Sequence, residues 1–230
     1  MKKRNMLLKS LALAACVVSL WSCSKDKDPI QEDEGDAIGT VYLDEKFDKM
    51  IWGGDYIKQL TGVKGVFIRD ENNKYIIDES KPVDECSIGS DGCPDFFDTA
   101  SEAYKTLRGI NNWDGWKVYE RPGYLKVGTS TSRDAFVSTP PLKDINDEKV
   151  NVKVSVSLAI WEGSSETLYI NVVNGGTPSV GQLQVTSSDS WTSKEFTILN
   201  ATKNTKIAIK SDPTQVGRFL MDNFKVVKVE

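Results

Sequence analysis

Large apolar residues alternate with polar or small ones between residues 150 and 160. The apolar positions are Val150, Val152, Val154, Val156, Leu158 and Ile160. This period of two places the apolar set on a core face and the intervening set toward water, as in a half-buried β-strand, and no helix explains it. Shorter alternating runs separated by turn residues follow as far as Val229. The pattern predicts about nine to eleven antiparallel strands in a two-sheet β-sandwich.

Residues 119–142 are predicted to form two short strands joined by a polar turn. In the first strand, Leu125 and Val127 alternate with neighbours such as Lys126. The turn sequence TSTSRD follows, and the second strand ends at a Pro-Pro pair that cannot donate hydrogen bonds to a ladder. This stretch supports the sandwich prediction.

The periodicity weakens over residues 50–112, which we interpret as an irregular insertion between the first core strand, residues 40–48, and the second. Inside it, residues 66–68 and 75–77 flank an Asp-Glu-Asn-Asn turn and are predicted to form a hairpin. The insertion is either an elaboration of the fold or the functional part of the chain. We expect a single domain over residues 39–230.

One short helix is predicted from Thr99 to Gly109. Thr99 and Glu102 have the spacing of a capping box, and Gly109 stands at the stop position. The fold class that follows is all-β, an antiparallel sandwich with one short helix.

The first residues are predicted to be a leader outside the fold. Basic residues at positions 2, 3, 4 and 9 precede an apolar run at residues 10–21. The motif LWSC follows at positions 20–23, where a cleavage site is expected. This segment resembles a bacterial lipoprotein signal, although Trp21 stands where a small residue is usual. The resemblance implies a signal peptide at 1–22 and a lipid anchor on Cys23. The alternative is an ordinary signal peptide followed by an unmodified cysteine.

Residues 23–38 are polar, charged and interrupted by Pro29, so they are predicted to form a disordered acidic tether. The tether resembles the acidic export tag of surface lipoproteins in glycan-foraging Gram-negative anaerobes, with Lys25 and Lys27 as departures from it. The expected location is the outer membrane, lipid-anchored and exposed at the cell surface, with a periplasmic orientation as the alternative. A formal net charge of -4 argues against nucleic acid as a partner.

Two of the four cysteines, Cys86 and Cys93, remain after the leader and Cys23 are set aside. In an exported protein an even pair favours a disulfide, which would stabilise the fold by roughly 2.5 kcal/mol on the chain-entropy model. Free thiols are the alternative. A cysteine-only metal site needs more than two ligands, and the chain has no histidine.

The motifs GYLKVGTSTSRDAFVSTPPL, NVVNGG, SWTSKEFTILNATKNTKIAIKS and RFLMDNFKVV follow one another between residues 116 and 229. In this order they resemble the galactose-binding-like jelly rolls of surface lipoproteins, often called choice-of-anchor J, and the carbohydrate-binding modules of the same fold. The resemblance includes the first strand and leaves out residues 50–112. It implies a jelly-roll β-sandwich, a scaffold that serves many ligands.

The same resemblance implies a structural calcium ion, held by acidic residues of the first and last strands. The matching positions are Asp44, Glu45 and Asp222. A hard cation needs several oxygen ligands, and a sandwich brings these two strands together. The alternative is that these carboxylates face solvent at strand ends.

Carbohydrate-binding modules stack aromatic rings on sugars and bind the hydroxyl groups with polar side chains. The candidates are Trp52, Asp55, Tyr56, Trp113 and Trp116. Trp161 and Trp191 also stand at predicted strand ends. For each tryptophan the alternative is packing in the core or at a sheet edge.

Catalysis is not expected. The chain has no histidine, which removes the commonest general base and the serine and cysteine triads. The function predicted is non-catalytic capture of a polysaccharide or glycoconjugate for uptake by a lipid-anchored surface protein. The alternatives are an adhesion protein that contacts a protein partner through residues 50–112, and a glycosidase built on two carboxylates.

Overall fold

A computed structural model describes residues 35–50 and 95–230, except positions 99, 122, 162 and 189, together with the backbone of two strands between them. The elements are β1 (Val41–Glu45), β2 (Val66–Arg69), β3 (Tyr75–Asp78), α1 (Glu102–Arg108), β4 (Asp114–Trp116), β5 (Val118–Arg121), β6 (Tyr124–Val127), β7 (Phe136–Ser138), β8 (Val150–Ile160), β9 (Glu166–Val173), β10 (Thr177–Pro178), β11 (Gln182–Val185), β12 (Thr192–Ala201), β13 (Lys206–Lys210) and β14 (Phe219–Val229). The predicted leader, Cys23 and most of the tether lie outside the described residues.

Two antiparallel sheets form the sandwich. The larger has the order β10-β12-β8-β14-β6-β5, with β1 also paired to β14, and the smaller has the order β11-β9-β13-β7-β4. From β6 to β14, consecutive strands belong alternately to one sheet and the other, which is the connectivity of a jelly roll. The predicted fold class is confirmed, and β2 and β3 form the predicted hairpin.

The core lies between the two sheets and follows the alternation seen in the sequence. All six apolar positions of β8 belong to it, and Val152, Val154 and Leu158 are fully buried. Ile207 and Ile209 of β13 contribute from the smaller sheet. Each such side chain stabilises the fold by roughly 1.5–3 kcal/mol when it leaves water.

The last strand occupies the middle of the larger sheet. One edge of β14 pairs with β8, from Phe219 to Val229 with an interruption between Asp222 and Lys225. Its other edge pairs with β6 in the first half and with β1 in the second half. Asn223 has φ +51° at the interruption, a conformation that asparagine adopts more readily than most residues. The predicted proximity of the first and last strands is confirmed.

Both strands predicted within residues 119–142 are present, as β6 and β7, and they lie in opposite sheets. The polar turn between them is therefore the crossing from one sheet to the other. Thr129 and Ser132 stabilise its start, because each backbone N–H donates to the hydroxyl of the other residue, at 2.7 and 3.0 Å. These local bonds replace the ladder bonds that the chain loses as it leaves a sheet.

The helix α1 begins later than predicted. Its N-cap is Ser101, whose hydroxyl accepts a hydrogen bond from the backbone N–H of Tyr104 at 3.1 Å, so the predicted capping role of Thr99 is wrong. Gly109 ends the helix with φ +78°, as predicted. Within the part of the chain that the structure describes, no helix has the length and apolar composition of a membrane span.

The end of the predicted insertion belongs to the sandwich core. Phe96, Tyr104 and Ile110 are buried in the same cluster as the apolar side chains of the two sheets. The rings of Phe96 and Tyr104 stack at a centroid distance of 5.1 Å. Residues 95–112 therefore help to close the sandwich beside β4 and β5.

Candidate functional site

Several predicted site residues lie outside the described residues. These are Trp52, Asp55 and Tyr56 of the glycine-rich loop and the pair Cys86 and Cys93. Their roles in ligand binding and in a disulfide stay predictions.

Trp113 is a core residue. Its side chain is 7% exposed and packs edge-on against two other rings, with centroid distances of 5.4 Å to Phe47 and 5.9 Å to Phe224. These contacts join the residues just before β4 to the end of β1 and to β14. The predicted role of Trp113 as a sugar platform is corrected accordingly, because its ring faces the protein.

Trp116 is exposed on the outer face of the smaller sheet. It lies at the end of the edge strand β4 and is 41% exposed. Its partner across the ladder is Phe136 of β7, and the neighbouring pair, Gly115 and Val137, points into the core. Side chains on one face of a ladder contact each other at about 5 Å. The Lys117 ammonium lies 5.5 Å from the centre of the Trp116 ring.

The strand registers extend this aromatic pair into a row that crosses the whole sheet. Directly paired positions lead from Trp116 through the other four strands to Phe136, Lys210, Tyr169 and Gln182. Five strands spaced about 4.8 Å apart span about 19 Å. The row therefore has the length of several consecutive sugar residues.

A groove of about 310 Å³ runs beside this row. We call it the outer groove; the residues lining it include Asp114, Phe136, Ser138, Asn171, Lys206, Ala208 and Lys210. Ala208 stands between Ser138 and Asn171 in the paired strands, and its short side chain leaves space above the sheet. The groove thus combines one aromatic wall with a carboxylate, an amide, a hydroxyl and two ammonium groups.

Two polar side chains of the row, Lys210 and Tyr169, are held in place by neighbouring carboxylates. The Lys210 ammonium donates to the Asp134 carboxylate at 2.8 Å and lies 5.8 Å from the centre of the Phe136 ring. The Tyr169 hydroxyl donates to Asp212 at 3.5 Å. Fixed donors and acceptors bind a ligand with less loss of side-chain entropy than mobile ones.

Sequence reasoning selected Trp116 and missed most of the groove. The available signal was the alternation in β13, where Lys206, Ala208 and Lys210 occupy the face opposite the core residues. That alternation predicts an outward polar face, but only the strand register shows that this face meets Phe136 and Trp116.

The outer face of the larger sheet is covered around Lys126, unlike the exposed outer face of the smaller sheet. The alternation in β6 turns Lys126 away from the core, yet its side chain is fully buried. Its ammonium lies 5.1 Å from the ring centre of Tyr119 and 4.7 Å from that of Trp161. Trp161 is 3% exposed, and Trp191 packs against Tyr124 at a centroid distance of 5.4 Å. Trp161 is therefore a buried residue, and Trp191 is partly buried at the same face.

The predicted calcium ligands separate into two groups. Asp44 accepts from the Lys225 ammonium at 2.9 Å, which commits its carboxylate to an ion pair. Asp222 accepts from the backbone N–H of Asn223 at 2.6 Å, and burial raises its pKa to about 6, with the negative charges of Asp48 and Glu45 adding to the effect. Glu45, Asp48 and Asp222 therefore lie close enough to repel one another.

Glu45 and Asp222 fit a hard cation, since an ion between them would remove this repulsion. Asp44 does not fit, because Lys225 already neutralises it. Among the described residues there is no group of three or more His, Cys, Asp or Glu side chains placed to hold a metal ion. Calcium stays a prediction, with its candidate ligands reduced to the Glu45 and Asp222 pair.

Replacing Asp222 by asparagine is expected to stabilise the fold at neutral pH. The raised pKa means that the folded carboxyl keeps its proton more strongly than the unfolded one, so this group costs stability as pH rises from about 4 through 6. Asp222→Asn removes that cost. The melting temperatures of the variant and the wild type, without metal, should coincide near pH 4, separate between pH 4 and pH 6, and keep a constant difference above pH 6. A variant that is less stable at both pH values would contradict the assignment.

No family model matches the chain, and no curated protein is similar to it in sequence. Solved structures are similar to it in fold. The CBM22-1 xylan-binding domain of Paenibacillus barcinonensis Xyn10C is 12% identical, with 85% of this chain and 98% of that one covered and a TM-score of 0.43. The CBM22-1-CBM22-2 tandem domain of the same protein is 12% identical, with 85% and 48% covered and a TM-score of 0.46.

The CBM35 of Paenibacillus barcinonensis is also similar, at 18% identity, with 51% of this chain and 93% of that one covered and a TM-score of 0.35. All three identities are below 20% and all three TM-scores below 0.5. Any function of this chain must therefore be inferred from its own residues.

Proposed function

We propose that this chain is a non-catalytic binding protein that holds a polysaccharide or glycoconjugate in the outer groove. One observation supports it most strongly. The exposed Trp116 ring stands beside Phe136 at one end of a row that carries polar groups across five strands.

The chemistry of the groove suits a sugar chain. A sugar ring has an apolar C–H face and a rim of hydroxyl groups, so it needs an aromatic surface and hydrogen-bonding groups at the same time. Phe136 supplies the surface in the groove and its ladder partner Trp116 extends that surface beyond the groove, while Asp114, Asn171 and Lys210 supply acceptors and donors. Because the row beside the groove crosses five strands, this face fits the interior of a chain better than a single terminal sugar.

The proposal extends to attachment at the cell surface through a lipid on Cys23, with capture of the glycan for uptake. This part rests on the leader and the acidic tether. A structural calcium ion between Glu45 and Asp222 is also proposed. Calcium should then raise the melting temperature of the wild type and leave that of Asp222→Asn unchanged.

The test is a glycan array probed with the full chain and with Trp116→Ala. We expect binding to a defined polysaccharide and a loss of about 10–30-fold in affinity for the variant, equivalent to about 1.4–2 kcal/mol. Ala208→Leu, which fills the floor of the groove, should weaken binding as well. Leu199→Ala is the matched control, since Leu199 is 45% exposed on the other sheet.

Two outcomes would refute the proposal. One is a chain with the circular dichroism of a folded β-protein that binds no glycan. The other is binding that neither Trp116→Ala nor Ala208→Leu changes, which would place the ligand elsewhere on the molecule.

A further inference from the structure

A second cavity, of about 450 Å³, lies at one end of the sandwich. We call it the loop-end pocket. It is lined by the start of β9 and by the links β6–β7, β8–β9 and β13–β14, which contribute Glu166, Ser130, Ser165 and Arg218. The pocket is distinct from the outer groove, because no residue lines both.

Glu166 places a buried acceptor at this pocket. It shares its face of β9 with the core residues Leu168 and Ile170, so its side chain enters the end of the sandwich. Its Oε1 atom is inaccessible to solvent and accepts no hydrogen bond from any described residue. An unsatisfied buried acceptor is costly, and the cost is greatest when the carboxyl group is ionised, so the protonated acid is favoured until a cation binds close to it.

Gly217 makes room for this carboxylate. A Cβ atom at position 217 would lie 1.9 Å from Oε1 of Glu166, so any larger residue would displace the acid. The backbone N–H of Arg218 donates to the Glu166 carboxylate. The link between β13 and β14 therefore shapes the pocket around the acid and holds it in place.

The charges around the pocket favour a cation. Burial, with a smaller contribution from the negative charge of Asp212, raises the pKa of Glu166 to about 7. Asp212 and Arg218 are the charged residues beside Glu166 in the pocket lining, while Ser130 and the ladder partner Val185 carry no charge. When Glu166 is ionised, two carboxylates stand against one guanidinium, and a ligand ammonium would neutralise the remaining negative charge.

We propose that the loop-end pocket binds an amino sugar with a free ammonium group, which forms an ion pair with the Glu166 carboxylate in the pocket wall while the hydroxyl groups bind Ser130, Thr167 and Asp212. The inference does not depend on glycan binding in the outer groove. A neutral sugar offers the Glu166 carboxylate no opposite charge and would bind more weakly.

The test is calorimetric titration of the full chain with glucosamine and, as the neutral comparison, N-acetylglucosamine, at a pH of about 6.5. Glucosamine should bind more tightly. Its ammonium favours the ionised carboxylate, so binding should release protons, seen as a heat that depends on the ionisation enthalpy of the buffer. Glu166→Gln should abolish the release and weaken binding about tenfold or more.

A second variant protects the test against a folding defect. Val216 is 47% exposed at the pocket, so Val216→Trp should block entry without changing charge, while Leu199→Ala should bind like the wild type. Equal affinity for the two sugars would overturn the proposal. Unchanged binding in both pocket variants, or no binding of glucosamine at millimolar concentration, would overturn it as well.

Discussion

Trp113→Ala is expected to lower the free energy of unfolding by about 3–5 kcal/mol, because it removes a buried indole and leaves a cavity between two aromatic rings. Phe47 and Phe224, which contact Trp113 edge-on, would lose their partner, and β1, β4 and β14 would lose a shared contact. Chemical denaturation followed by circular dichroism measures the change.

Trp116→Ala is the matched comparison, three residues further along the chain. Trp116 is 41% exposed on an edge strand, so its removal should change the free energy of unfolding by at most about 1 kcal/mol. Similar losses for the two variants would contradict the assignment of one tryptophan to the core and the other to the surface.

Glu120→Gln is expected to destabilise the fold by about 3–5 kcal/mol, since it leaves the Arg108 charge without its buried carboxylate. Arg108 and Glu120 are both almost fully buried, and the guanidinium Nε lies 2.9 Å from Oε1 of Glu120. The Tyr104 hydroxyl donates to the same carboxylate. The group ties α1 to β5, so hydrogen exchange in the helix should accelerate in the variant.

The control for this ion pair lies on the same helix. Glu102 accepts from Lys105 at 2.8 Å, with the Glu102 side chain 86% exposed. Glu102→Gln should cost less than about 1 kcal/mol, because water screens and replaces such a pair. A loss as large as that of Glu120→Gln would show that helix formation, and not the buried pair, limits stability.

Local patterns predicted the strands of this fold well and their surroundings less well. The alternation in β8 identified its core face correctly, since an apolar run of that period has one stable arrangement in a sheet. The same reasoning turned Lys126 toward the side of β6 away from the core, where the structure surrounds its ammonium with aromatic rings. Whether an outer face meets water depends on distant parts of the chain, which a local period does not encode.

The candidate site shows the same limit. The sequence around Trp113 and Trp116 does not show which of the two is buried. The strand register does, because Gly115 pairs with the core residue Val137 and the next residue, Trp116, therefore points to the opposite face. The sequence predicted Thr99 as the N-cap of α1, whereas the structure has Ser101 at that position. Both residue types can cap a helix, so the pattern did not distinguish them. Glu166 begins a strand like many other carboxylates, and its burial depends on Gly217, 51 positions away.

The central position of β14 has a consequence for how the protein is made. Ribosomes add residues in order at about 5–20 per second, so β8, β6 and β1 are synthesised well before the strand that joins them. Until residues 219–229 emerge, three edges that end up inside the larger sheet have no partner there. Nascent chains of this protein should therefore depend on chaperones that cover exposed strand edges, and the sandwich should assemble only after β14 has left the ribosome.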